Sequence, residues 1–137
     1  MNLVPLVKAL WDGDTAVVQK ILCDILYDTI SYFDNVESFY HGFMTGLLRG
    51  AGFVIKSNRE SGLGRPDIII EDGKNKRALI FELKRAATYE ELDAKASEGL
   101  AQIKEKQYAI GLSPQIKTVL QYGLAFWNKE CCVKLWL

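Results

Sequence analysis

The stretch GRPDIIIEDGKNKRALIFELKRA, residues 64–86, decides the fold. Two apolar runs, Ile68-Ile69-Ile70 and Leu79-Ile80-Phe81, flank Asp72-Gly73-Lys74-Asn75-Lys76, a segment rich in turn formers. This pattern predicts a hairpin with strands over 66–71 and 77–84, the proline being tolerated at a strand start. Centring the turn between Lys74 and Asn75 sets Asp72 opposite Arg77 and, five residues outward on each side, Asp67 opposite Glu82. Directly opposed residues share a face, with Cβ atoms about 4.5–5.5 Å apart. Alternation within the second strand puts Ala78, Ile80, Glu82 and Lys84 on one face and Leu79, Phe81 and Leu83 on the other. Asp67, Glu82 and Lys84 therefore meet on one surface.

Charges inside such apolar runs need a reason, because continuous apolar strands are usually covered on both faces. Two carboxylates held close repel, so either one binds a proton or a cation sits between them. Lys84 offsets part of the repulsion. A divalent ion does so better, and hard oxygen ligands suit Mg²⁺, with Mn²⁺ as a substitute. A solvated hairpin face carrying the same three charges is the plainer alternative. Register decides between them, since a slip of one residue would send the acids to opposite faces.

Working outward, residues 3–11 read as a short helix. Asp14 reads as the N-cap of a second helix that runs to about Tyr32, and a third follows from about Val36 to Arg49 with Gly50 as its stop. Residues 52–56 read as a strand before the hairpin, 89–109 as a helix, and 118–127 and 131–137 as two final strands. The order is ααα–βββ–α–ββ in a single domain over 1–137, and the helix between the third and fourth strands is a crossover covering a mixed sheet.

Bulk properties narrow the function classes. The 17 basic and 17 acidic residues cancel, so attraction to nucleic acid must come from local patches. Lys56, Arg59, Arg65, Lys84 and Arg85 gather at the site end, with Lys74, Lys76 and Arg77 around the hairpin. Three cysteines, Cys23, Cys131 and Cys132, make a poor disulfide framework, and with one histidine they argue against a zinc site. No stretch is long and apolar enough to span a membrane, and the N-terminus lacks the basic region of a signal peptide. The expectation is a cytoplasmic protein.

Pro66-Asp67 followed by Glu82-Leu83-Lys84 resembles the signature of the PD-(D/E)xK nuclease superfamily. The segments ESFYHGFMTGLL (37–48), SNRESGLGRPDIII (57–70), ALIFELK (78–84), GLAQIKEKQYA (99–109) and YGLAF (122–126) are similar to a narrower group, the C-terminal nuclease domains of bacterial proteins that begin with an AAA-ATPase-like domain. The resemblance implies an α/β, restriction-endonuclease-like three-layer core, a mixed central sheet flanked by helices. It also implies Mg²⁺-dependent hydrolysis of phosphodiester bonds, above all in DNA. Asp67 and Glu82 would be metal ligands, joined by the Leu83 carbonyl and by Glu37 on the third helix, and Lys84 would orient water or contact phosphate. Glu37 reads equally as an acid favoured by a helix N-terminus. His41, one turn later, reads as a phosphate contact or as a packed histidine. Gln102 reads as a site contact or as a solvated polar side chain of the helix, and Tyr108 as a neighbour of the site or core. Arg65 would touch a phosphate, and Glu60 would stand behind the site or form a simple ion pair. A homodimer is common among such folds. No GxxxxGK[ST] loop is present, so coupling to ATP would come from an AAA-ATPase-like domain outside this chain. The competing reading is a catalytically silent module that binds nucleic acid or protein on the same fold.

Overall fold

The computed structural model describes residues 1–29, 37–56, 67–106 and 111–136, with Glu37 described in its backbone only. In chain order the elements are α1 (Val4–Asp12), α2 (Thr15–Thr29), α3 (Glu37–Gly50), β1 (Ile68–Asp72), β2 (Arg77–Arg85), a 3₁₀ turn (Tyr89–Glu91), α4 (Leu92–Lys106), β3 (Thr118–Trp127) and β4 (Glu130–Trp136). The strands form one sheet in the order β1-β2-β3-β4. β1 and β2 are antiparallel, β2 and β3 parallel, and β3 and β4 antiparallel. A parallel neighbour cannot be reached by a tight turn, so α4 serves as the crossover between β2 and β3.

Three layers result, and β2 shows why. Leu79, Phe81 and Leu83 belong to the main core with Leu6, Leu10, Leu22, Leu26, Tyr40 and Leu48 of α1, α2 and α3. On the opposite face Ile80 packs with Ile103, and Ala125 with Leu92 and Ala96 of α4. β2 is buried from Ala78 to Leu83 because both faces are covered, which accounts for its unbroken apolar reading. The hydroxyl of Tyr122 on β3 donates to the Leu10 carbonyl at 2.7 Å, and that of Tyr40 on α3 donates to the Asn128 carbonyl at 2.9 Å. Both rings stack in the core, Tyr122 on Phe81 and Tyr40 on Phe126.

The hairpin has the expected register, with Asp72 paired to Arg77 and Ile68 to Phe81. Lys76 takes a positive φ of 55° to close the turn, and its N–H donates to the Gly73 carbonyl at 3.2 Å. Asp72 accepts from Asn75 Nδ2 at 2.8 Å and from Arg77 Nε at 2.9 Å, which holds its carboxyl below the ordinary range. Asp14 caps α2 by accepting from the Val17 N–H at 3.2 Å.

Two expectations shift. The third helix includes Gly50, and it is Gly52, at φ 99°, that supplies the left-handed residue; the Phe53 N–H then closes back on the Leu48 carbonyl at 3.1 Å. Residues 51–56 carry no assigned strand. They run beside β1 with the Lys56 N–H on the Ile69 carbonyl at 2.7 Å, and a single link is not a ladder. Four of the five expected strands are thus present among the described residues.

Candidate active site

β1, β2, α3 and α4 converge where β1 begins. Ile68–Phe81 is the last pair of the β1–β2 ladder, and extending its register by one residue sets Asp67 across from Glu82. There the two acids take over the linking. The Asp67 N–H donates to Glu82 Oε1 at 3.0 Å, and the Leu83 N–H donates to Asp67 Oδ2 at 2.8 Å. Each carboxylate thus receives a hydrogen bond from a main-chain N–H. Glu82 is nonetheless only 3% exposed, an uncommon position for an acid.

Lys84 follows on the same face. Its Nζ donates to Gln102 Oε1 on α4 at 2.6 Å, and among the described residues it forms no salt bridge with Asp67 or Glu82. The lysine is held by the helix amide, while main-chain N–H groups serve the carboxylates. From the other layer, His41 Nε2 lies 3.3 Å from the Asp67 carbonyl oxygen. A carbonyl can only accept, so this contact is a hydrogen bond when Nε2 carries the proton. Asp67 is therefore held at its backbone by α3 and at its side chain by β2.

Glycines set how closely α4 can approach. A Cβ on Gly123, the residue of β3 paired with Glu82, would lie 2.3 Å from the Ala96 carbonyl oxygen and 2.9 Å from the Leu100 nitrogen. One on Gly99 would meet the Glu82 carbonyl oxygen at 3.3 Å. The helix backbone rests on the sheet beside Glu82, and one turn later it presents Gln102 to Lys84. Nothing in the local sequence marks Gly99 and Gly123 as facing each other. Glu98 also escaped the sequence reading. It pairs with Lys95 at 3.0 Å, and Lys95 chiefly, with a smaller contribution from Lys84, holds its carboxyl below the ordinary range. Its position one turn before Gln102 on α4 is the signal that could have found it.

Glu37 opens α3 one turn before His41. Its side chain, together with Glu60, Arg65 and Tyr108, lies outside the described residues. The expected basic surface is thinner than its residue count. Arg77 is tied to Asp72 and lies over the Trp11 ring at 3.9 Å, Lys104 lies over Trp136 at 5.2 Å, and Lys56 reaches Glu71 at 3.7 Å. Arg85, Lys74 and Lys76 are exposed.

Among the described residues no group of three or more His, Cys, Asp or Glu side chains is placed to hold a metal ion. Two carboxylates on one face still fit a hard divalent cation, because Mg²⁺ is commonly held by one or two carboxylates and completes its octahedron with water and substrate phosphate. Main-chain donors engage one oxygen of each acid, Glu82 Oε1 and Asp67 Oδ2.

A sequence model described as the PD-(D/E)XK nuclease superfamily matches residues 35–136, from the start of α3 to the end of β4. No curated protein and no solved structure matches the chain.

Proposed function

Since this chain belongs to the PD-(D/E)XK nuclease superfamily, we propose that it is a Mg²⁺-dependent nuclease, Mn²⁺ substituting, that hydrolyses phosphodiester bonds in DNA. The observation that carries this reading is the crosswise bonding of Asp67 and Glu82 beside a lysine held by Gln102. Asp67 and Glu82 would hold the ion, with the Leu83 carbonyl and Glu37 as further ligands. When bound, the ion would acidify a water and stabilise charge developing on the phosphate. Lys84, fixed by Gln102, is the group that orients the attacking water or contacts the scissile phosphate. His41 positions Asp67 through its backbone. Arg65, Glu60 and Tyr108 would extend the substrate contacts. The three free thiols fit a reducing, cytoplasmic setting, and no described helix is long and apolar enough to cross a membrane.

The test is cleavage of single-stranded, double-stranded and branched DNA, and of RNA, with and without Mg²⁺ or Mn²⁺. Wild type should cut DNA only with the metal. Asp67→Asn should lose both cleavage and Mn²⁺ binding by calorimetry, and Lys84→Ala should lose cleavage while still binding Mn²⁺. A wild-type protein that binds no Mn²⁺ and cleaves none of these substrates would instead be a silent binding module on a nuclease fold.

A further inference from the structure

Cys23 on α2 and Cys131 on β4 are 108 residues apart in sequence, yet their sulfurs stand 3.4 Å apart. Cys23 Sγ also lies 4.0 Å from the Cys131 carbonyl oxygen, and Cys131 Sγ lies 3.7 Å from that of Gln19. The Gln19 side chain accepts from the Val133 N–H at 3.0 Å, so the α2–β4 seam is fastened beside the two thiols. Their environments differ. Cys131 is 3% exposed, whereas Cys23 is half-buried and reachable. The hydrogen bond from Cys131 draws the Cys23 thiol below its ordinary value against the effect of burial, while the same contact and burial push Cys131 well up. An accessible, acidified thiol touching a shielded one is the arrangement of an attacking and a resolving cysteine. Cys132 is turned to the other face, against the Ala86–Leu92–Ala96–Ala125 cluster, and its thiol is raised by burial.

We propose that Cys23 and Cys131 form a thiol–disulfide modification site whose co-reactant is a small-molecule disulfide of the glutathione class. The Cys23 thiolate attacks one sulfur of that disulfide, an S–S bond breaks, and one small thiol leaves with a proton. Cys131, giving up its proton, then attacks the Cys23 sulfur and displaces the second small thiol, which takes a proton. Two protein thiols are oxidised to one disulfide, and one small disulfide is reduced to two thiols. The sulfurs need only close from 3.4 Å to about 2.0 Å. The bond would staple α2 to β4 in the layer opposite α4, away from Asp67, Glu82 and Lys84. It is independent of the nuclease reading.

The test uses the folded 137-residue chain, treated with oxidised glutathione at neutral pH, weighed intact, then alkylated and mapped by peptides. Before alkylation the expected product is lighter than the reduced chain by about 2 Da and carries no glutathionyl group; after it, peptide mapping should find one Cys23–Cys131 link and an alkyl group on Cys132 alone. Cys132→Ser should behave as wild type, and Cys131→Ser should stop with one glutathionyl group on Cys23. The oxidised protein should melt at a higher temperature than the reduced one. A link to Cys132, glutathionylation without closure in wild type, closure only in denaturant, or unreacted Cys23 where a cysteine peptide control reacts would each overturn the proposal. An unchanged melting temperature would overturn the stapling.

Discussion

Gln102 shows what one side chain can do for Lys84, the lysine proposed to be catalytic. Its Oε1 is 2.6 Å from Lys84 Nζ, so it fixes one of the three ammonium donors and aims the other two. Leucine in its place keeps the volume and helix propensity but frees the lysine. Gln102→Leu is predicted to lower kcat by about 10–100-fold, the usual cost of losing a residue that orients a catalytic group. Mn²⁺ affinity should stay unchanged, because the bond that is lost is the one to Lys84. Steady-state cleavage with parallel Mn²⁺ calorimetry checks this; a loss confined to metal affinity would place the glutamine elsewhere in the mechanism. At this scale the sequence was informative where chemistry is local. The turn over 72–76 sets the register, and the register alone brings Asp67 to Glu82. It did not disclose that the acids accept hydrogen bonds from main-chain N–H groups or that Lys84 turns to the helix. Side-chain direction depends on the packing of α4, which no motif states.

At the scale of elements, the docking of α4 on the sheet is the decisive contact. Gly123 has no room for a Cβ, since the clash at 2.3 Å and 2.9 Å is with helix backbone that cannot rotate away. Gly99, at 3.3 Å from the Glu82 carbonyl oxygen, is tight yet can be accommodated by a shift of a few tenths of an ångström. Gly123→Ala is therefore predicted to destabilise the protein by about 3 kcal/mol, the upper end of overpacking costs. Gly99→Ala should fall within about 1 kcal/mol of neutral, because better helix propensity offsets its crowding. Urea unfolding of both variants distinguishes them, and equal costs would show that α4 does not rest on Gly123. The element order was legible from periodicity, but this closeness was not. It arises between residues 24 apart in sequence, and only the parallel β2–β3 pairing brings Gly123 beside Glu82. Residues 52–56 were apolar enough to suggest a strand, yet strand identity belongs to the neighbour as much as to the sequence.

Across the whole molecule, Tyr122 ties the outer helices to the sheet. Leu10 is among the last four residues of α1, whose carbonyls have no partner within the helix, and the Tyr122 hydroxyl supplies one at 2.7 Å in a fully buried setting. Tyr122→Phe leaves that carbonyl bare and should cost about 1–3 kcal/mol at neutral pH. The pH dependence follows from the phenol. Burial above all, with the charges of Asp12 and Asp14, raises its folded pKa above the unfolded value. The stability it contributes is complete below the unfolded value of about 10 and is lost as pH rises from there towards the folded one. Phenylalanine has no such proton. The urea midpoints of wild type and Tyr122→Phe should therefore lie furthest apart near pH 7 and draw together above about pH 10. A gap that stays constant to pH 11, as an order-of-magnitude limit of about one unit past the unfolded phenol, would mean that the hydroxyl stays hydrated and that α1 is held by apolar contact alone. The superfamily match begins at residue 35, so α1 and α2 lie outside it. They nevertheless cover Leu79, Phe81, Tyr122 and Leu124 of the central strands, and the alkaline response of this one phenol reports on whether that cover is joined to the nuclease-like core by a hydrogen bond as well as by packing.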